Sequence, residues 1–121
     1  MTRHILIVED HEDNRQILRD LLTSAGYAMS EAGDGEAALT AVQARRPDLI
    51  LMDIQLPLLD GYEVTRRIKS NPDLQDIPIV VVSSYALSGD EVKAREAGCD
   101  AYVTKPYSPR RLLAKIKEFL P

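Results

Sequence analysis

Three carboxylates, one hydroxyl and one ammonium stand out because each closes or directly follows a short apolar run. Glu9 and Asp10 follow Ile5-Leu6-Ile7-Val8, and Asp53 follows Leu49-Ile50-Leu51-Met52. Ser83 follows Val80-Val81-Val82, and Lys105 follows Ala101-Tyr102-Val103-Thr104. If the five meet, their chemistry is restricted. Two carboxylates ~4 Å apart repel by roughly 4 kcal/mol at an effective dielectric of ~20, so three together keep a proton or recruit a cation. Hard oxygen ligands suit Mg²⁺, with several waters retained. Such an ion beside a lysine and a serine suits a transferring phosphoryl group. The metal and Lys105 would neutralise two equatorial oxygens while the Ser83 hydroxyl donates to the third. Asp53, expected to be ionised already, is then the nucleophile.

The elements must bring these residues together. The runs ending at positions 8, 53, 82 and 104 read as strands, and those ending at 8, 53 and 82 are apolar on both faces, as in a parallel sheet. A weaker strand is expected over residues 27–32. Between the strands lie helical patterns. Residues 12–25 carry Ile17, Leu18, Leu21, Leu22 and Ala25 on one face, with Gly26 as the stop. An alanine-rich helix opens at Asp34-Gly35. Asp60 with Glu63, and Ser88 with Glu91, resemble capping boxes for two further helices. Ser108-Pro109 opens the last helix, whose apolar stripe is Leu112, Leu113, Ile116, Phe119 and Leu120. Strand and helix therefore alternate five times, predicting a doubly wound α/β domain with helices on both faces. With right-handed crossovers, the leading arrangement is the five-stranded flavodoxin-like order 2-1-3-4-5. In such sheets the chemistry sits beyond the carboxyl ends of the strands, where all five residues fall.

Composition narrows the classes. The 121 residues are expected to form one domain, residues 1–121, long enough for a single substantial core but not for two. A net charge of −4 and the lack of any Lys/Arg block argue against direct nucleic-acid binding. The single cysteine, Cys99, excludes an internal disulfide and a cysteine-rich metal cage. It is expected to be a small residue at the start of the last strand. No apolar run is long enough to span a membrane. No signal peptide is apparent, since only four apolar residues separate His4 from Glu9, so a cytoplasmic protein is expected. His11, after the acidic pair, reads as an exposed residue at a helix start.

On Glu9-Asp10, Met52-Asp53 with Pro57 and Asp60-Gly61, Ser83, and Lys105-Pro106, the whole chain resembles a two-component response regulator receiver domain. The resemblance implies that Asp53 is phosphorylated by a sensor histidine kinase or a histidine phosphotransfer protein. It implies that Glu9, Asp10, Asp53 and the carbonyl of Gln55 hold Mg²⁺, that Lys105 pairs with the phosphoryl group, and that the Lys105-Pro106 peptide is cis. It implies a switch in which Ser83 moves toward the phosphoryl oxygen and Tyr102 fills the vacated space. The signal would leave through the face of the fourth helix, fifth strand and fifth helix, to a downstream protein target or a homodimer formed on phosphorylation. Such a protein is a phosphoacceptor that assists its own phosphorylation and dephosphorylation, and is not an enzyme in the ordinary sense. The bulky Tyr85, two residues beyond Ser83, is expected to slow hydrolysis of the phosphoryl group. With so little sequence after the last helix, a single-domain regulator similar to chemotaxis or cell-division receivers is expected. Passing the phosphate onward, or constitutive docking, would use the same fold. An aspartate-nucleophile phosphatase is disfavoured because Gln55 stands where a second acid is needed. A flavin carrier is disfavoured because Glu9, Asp10, Glu12 and Asp13 would repel its phosphate.

Overall fold

The computed structural model describes residues 2–83 and 90–121. The strands are β1 (His4–Val8), β2 (Ala28–Ala32), β3 (Leu49–Asp53), β4 (Ile79–Ser83) and β5 (Ala101–Thr104). The helices are α1 (Glu12–Ser24), α2 (Gly35–Ala44), α3 (Gly61–Lys69), α4 (Asp90–Ala97) and α5 (Pro109–Phe119). All strand pairs are parallel, in the order β2-β1-β3-β4-β5. The flavodoxin-like order expected from the sequence is therefore the one observed.

Every residue of β1, β3 and β4 is buried, which is why these strands lack polar alternation. Alternate residues feed two separate cores rather than the single one expected from chain length, because the sheet runs through the middle of the domain and divides the buried side chains between its faces. Leu6, Val8, Ile50, Met52, Ile79 and Val81 pack with Ala38, Val64, Ile68 and Ala94 of α2, α3 and α4. Ile5, Ile7, Leu49, Leu51, Val80 and Val82 pack with Leu18, Leu22, Leu112 and Ile116 of α1 and α5. Each fully buried Leu, Ile or Val contributes about 1.5–3 kcal/mol, so the sheet is fixed from both sides.

Most helix signals act as expected. Asp34 accepts from the Ala37 amide, Ser108 from the Arg111 amide, and Pro109 occupies the first turn of α5. Gly26 follows α1 with φ 91°, a value that favours glycine. Three expectations need correction. Tyr27 precedes β2 rather than belonging to it, and it packs as a half-buried residue against the α1/α5 core. The apolar stripe of α1 is narrower than expected: Leu18 and Leu22 are buried, but Ala25 is exposed and Ile17 is 58% exposed. At α3 only half of the capping box forms. Asp60 accepts from the Glu63 amide, while the Glu63 side chain turns to Arg66 and Arg67, whose charges outcompete a single backbone amide. The expected cap at Ser88, together with Ser84 and Tyr85, lies outside the described residues.

Candidate functional site

Because all strands run the same way, their carboxyl ends share one edge. The register then decides which residues are neighbours. Val8 lies opposite Met52, so Glu9 emerges level with Asp53. Asp53 lies opposite Val82, and Ser83 opposite Thr104, so Lys105 leaves the sheet just beyond Ser83. The Lys105 amide donates to the Ser83 carbonyl at 2.7 Å, and the Lys105-Pro106 peptide is cis, as expected. By strand alternation Glu9 and Asp53 point to the α1/α5 side, as Ile7 and Leu51 do. Ser83, which is fully buried, follows Val81 on the opposite side, where Tyr102 packs half-buried against the same core.

The loop from β3 to α3 is drawn tight over the site. The Gln55 amide donates to Asp53 Oδ1 at 3.2 Å. The Leu59 amide donates to the Pro57 carbonyl at 2.8 Å, closing a γ-turn on Leu58, whose φ is 70°. That conformation is strained for a leucine, and its side chain is 83% exposed. Gly61 lets α3 begin directly against the strand end, since a Cβ there would overlap the Asp53 carbonyl oxygen.

The charged groups are tightly linked. Lys105 Nζ lies 3.2 Å from Glu9 Oε1 and 3.5 Å from Asp53 Oδ2. Glu9 is only 2% exposed, and its Oε2 accepts from the Asp10 amide at 2.9 Å. Burial, followed by a hydrogen bond and repulsion from Glu9, pushes the Asp53 carboxyl up to about 7. Burial acts on Glu9 in the same upward direction, but bonds to Asp53, Asn14 and Lys105 and the Lys105 charge outweigh it and hold Glu9 at about 2. The same two carboxylates raise Lys105 against its own burial. Enclosure beside a second carboxylate thus raises Asp53 above the ordinary carboxylate range, a direction opposite to the plain ionisation expected from the sequence.

These residues fit a divalent cation. Asp10 Oδ1 is buried and makes no hydrogen bond, an unsatisfied acceptor that an ion would satisfy. The donors are hard oxygens, and a cation would offset the repulsion between their charges. Among the described residues, the group whose candidate ligand atoms all lie within 4.8 Å of one another is Glu9, Asp10 and His11. Asp53, expected from the sequence as a further ligand, lies outside this group, although its carboxyl is hydrogen-bonded to Glu9.

Several contributors carried no signal of their own in the sequence. Asn14 bonds Glu9 from α1, and the Arg15 guanidinium donates to the Glu9 carbonyl at 2.7 Å. Beside the acids opens a largely apolar cleft of about 500 Å³. Its walls include Ile17 and Leu18 of α1 and Pro106, Tyr107 and Pro109 after β5, and it reaches Glu9, Asp53 and Lys105. Only the periodicity of α1 pointed toward it, and that periodicity assigned Ile17 to the core.

Residues 5–117 match the family model described as the response regulator receiver domain. The chain belongs to that family. This receiver domain is 43% identical over 120 residues to the polar-differentiation response regulator DivK of Brucella ovis, covering 99% of this chain and 98% of that protein. It superposes on the receiver domain of a sensor histidine kinase from Pseudomonas aeruginosa PAO1 with a TM-score of 0.92 and 33% identity, covering 99% and 98% of the two chains. That crystal structure has a magnesium ion coordinated in its active site cleft. A putative response regulator from Chloroflexus aurantiacus gives a TM-score of 0.95 at 30% identity, again covering 99% and 98%. Receiver domains are signalling phosphoacceptors of two-component systems. Among the described residues, no helix is long and apolar enough to cross a membrane.

Proposed function

We propose that this receiver accepts a phosphoryl group on Asp53 from a phosphohistidine, carried by a sensor histidine kinase or a histidine phosphotransfer protein, in a Mg²⁺-dependent step. The observation that carries the reading is Asp53, at the end of β3, held beside Glu9 and Lys105 at the mouth of an open cleft. An Asp53 oxygen attacks phosphorus, the P–N bond breaks, and the imidazole leaves. Lys105 faces the incoming charge and stabilises it as it develops. Glu9, Asp10, Asp53 and the Gln55 carbonyl are the groups that would hold Mg²⁺, which supplies charge neutralisation for the phosphoryl oxygens.

The donor protein would dock on the cleft wall. Ile17 is a large apolar side chain exposed on α1 beside the route to Asp53, and Pro106, Tyr107 and Pro109 extend the apolar surface. Output would use the α4–β5–α5 face, in which α4 packs on one side of the sheet and α5 on the other beside α1. Tyr102 packs on the α4 side, where Ser83 also points by strand alternation, which supports their pairing as a switch: Ser83 follows the phosphoryl oxygen and Tyr102 moves inward. The phosphoryl group supplies the difference in free energy between the two arrangements. A single-domain, cytoplasmic regulator that acts through protein targets fits the likeness to DivK along the whole chain.

The test is incubation with labelled acetyl phosphate and Mg²⁺. Wild type should take up label, chelation of the metal should prevent it, and Asp53→Asn should remain unlabelled. Label that persists in Asp53→Asn would refute the assignment.

A further inference from the structure

His11 is not used by the function proposed above. It is the N-cap residue of α1, with φ −92° and ψ 124°, yet its side chain makes no capping hydrogen bond. The ring instead turns back over the acidic pair. Nδ1 lies 3.0 Å from Asp10 Oδ1 and 3.9 Å from Glu9 Oε2, and the imidazole is 73% exposed. These spacings match a coordination shell. With bonds of about 2.1 Å in an octahedron, adjacent ligand atoms lie ~3.0 Å apart and opposite ones ~4.2 Å. The Asp10 oxygen facing Nδ1 is the same buried oxygen that makes no hydrogen bond. One imidazole nitrogen and two carboxylates thus stand close enough to surround one ion.

We propose that His11 is a nitrogen ligand of the cation site, so that the site binds borderline first-row divalent cations such as Co²⁺, Ni²⁺ or Zn²⁺ by a margin that His11 itself supplies. The inference rests on the reading of this edge as a cation site. Magnesium gains little from a nitrogen donor and keeps its waters, whereas imidazole is a favoured ligand of the later metals. Exposure of the ring leaves it free to adjust by the few tenths of an ångström that a bond requires. His4, the other histidine, is enclosed in β1 with Nε2 2.6 Å from Ser30 Oγ, so a histidine signal from the metal would come from His11.

The experiment titrates Co²⁺ alone and Mg²⁺ alone into wild type, His11→Ala and Asp10→Asn, and records X-ray absorption of the Co²⁺ forms. Losing a direct ligand should weaken Co²⁺ by at least about tenfold in His11→Ala, since even an outer-sphere partner is worth that much. Mg²⁺ affinity should change by less than about twofold. The imidazole scattering signature should be present in wild type and absent in His11→Ala. Equal Co²⁺ affinity in wild type and His11→Ala, or a wild-type spectrum with oxygen ligands only, would overturn the role of His11. If Asp10→Asn still abolished Mg²⁺ binding, the cation site would stand without it. If neither cation bound wild type, the cation-site reading and the His11 inference would fall together.

Discussion

At the scale of single residues, two neighbouring carboxylates are pushed in opposite directions. Beside Lys105, Asp53 is raised by burial and by Glu9, while Glu9 is held down, and the proposed nucleophile must be deprotonated to react. The folded Asp53 carboxyl, at about 7, lies well above its unfolded value near 3.9. Between those values the folded state binds more protons than the unfolded state, so this group's contribution to stability falls as pH rises through the window. Glu9, held at about 2, behaves oppositely: its contribution is present above its unfolded value and is lost as pH falls toward 2. Urea midpoints at about pH 5 and about pH 8 should therefore show wild type losing more stability on raising pH than Asp53→Asn does. Excess Mg²⁺ should remove that difference. Parallel pH profiles for the two proteins without metal would contradict a raised Asp53 carboxyl. The types and positions of Glu9, Asp53 and Lys105 were legible because each ends an apolar strand. Their protonation was not, because it depends on Glu9 being level with Asp53, which the register sets.

At the scale of elements, the junction between β3 and α3 fixes the nucleophile. Asp53 ends the strand, its carbonyl is covered by Gly61, and residues 54–60 fold back over it through the γ-turn at Leu58. Gly61→Ala should force strand and helix apart and lower stability by about 1–3 kcal/mol, read as a reduced urea midpoint. An unchanged midpoint would show that the junction is looser than the geometry implies. Apolar periodicity and turn residues predicted every strand and helix, with boundaries within a few residues, because those patterns report burial directly. The γ-turn was hidden, since nothing about a leucine announces a left-handed backbone. The direction of Glu63 was hidden as well. A Glu three residues after an Asp is equally a capping partner or, with Arg66 and Arg67 following, half of a surface ion-pair cluster.

At the scale of the whole molecule, the sheet divides the candidate site between two faces. The α1/α5 side carries the cleft that reaches Asp53, and the opposite side carries Ser83 and Tyr102. On the proposed reading the phosphoryl group is delivered through the cleft and read out at the α4–β5–α5 face, so α5 borders both surfaces. Ile17→Glu, which places a charge on the apolar wall, should slow transfer from a phosphohistidine protein by about tenfold, equivalent to ~1.4 kcal/mol. Uptake from acetyl phosphate, which needs no docking surface, should stay within about twofold of wild type. Equal losses with both donors would assign Ile17 to the fold rather than to docking.

The most direct measurement is chemical capture of the phosphorylated residue. Protein treated with acetyl phosphate and Mg²⁺ is reduced with borohydride, which converts an aspartyl phosphate to homoserine, and is then digested and sequenced by mass spectrometry. Homoserine at position 53, and at no other aspartate, is the expected result. Homoserine at Asp10, Asp60 or another carboxylate with position 53 unmodified, or no conversion anywhere, would contradict it.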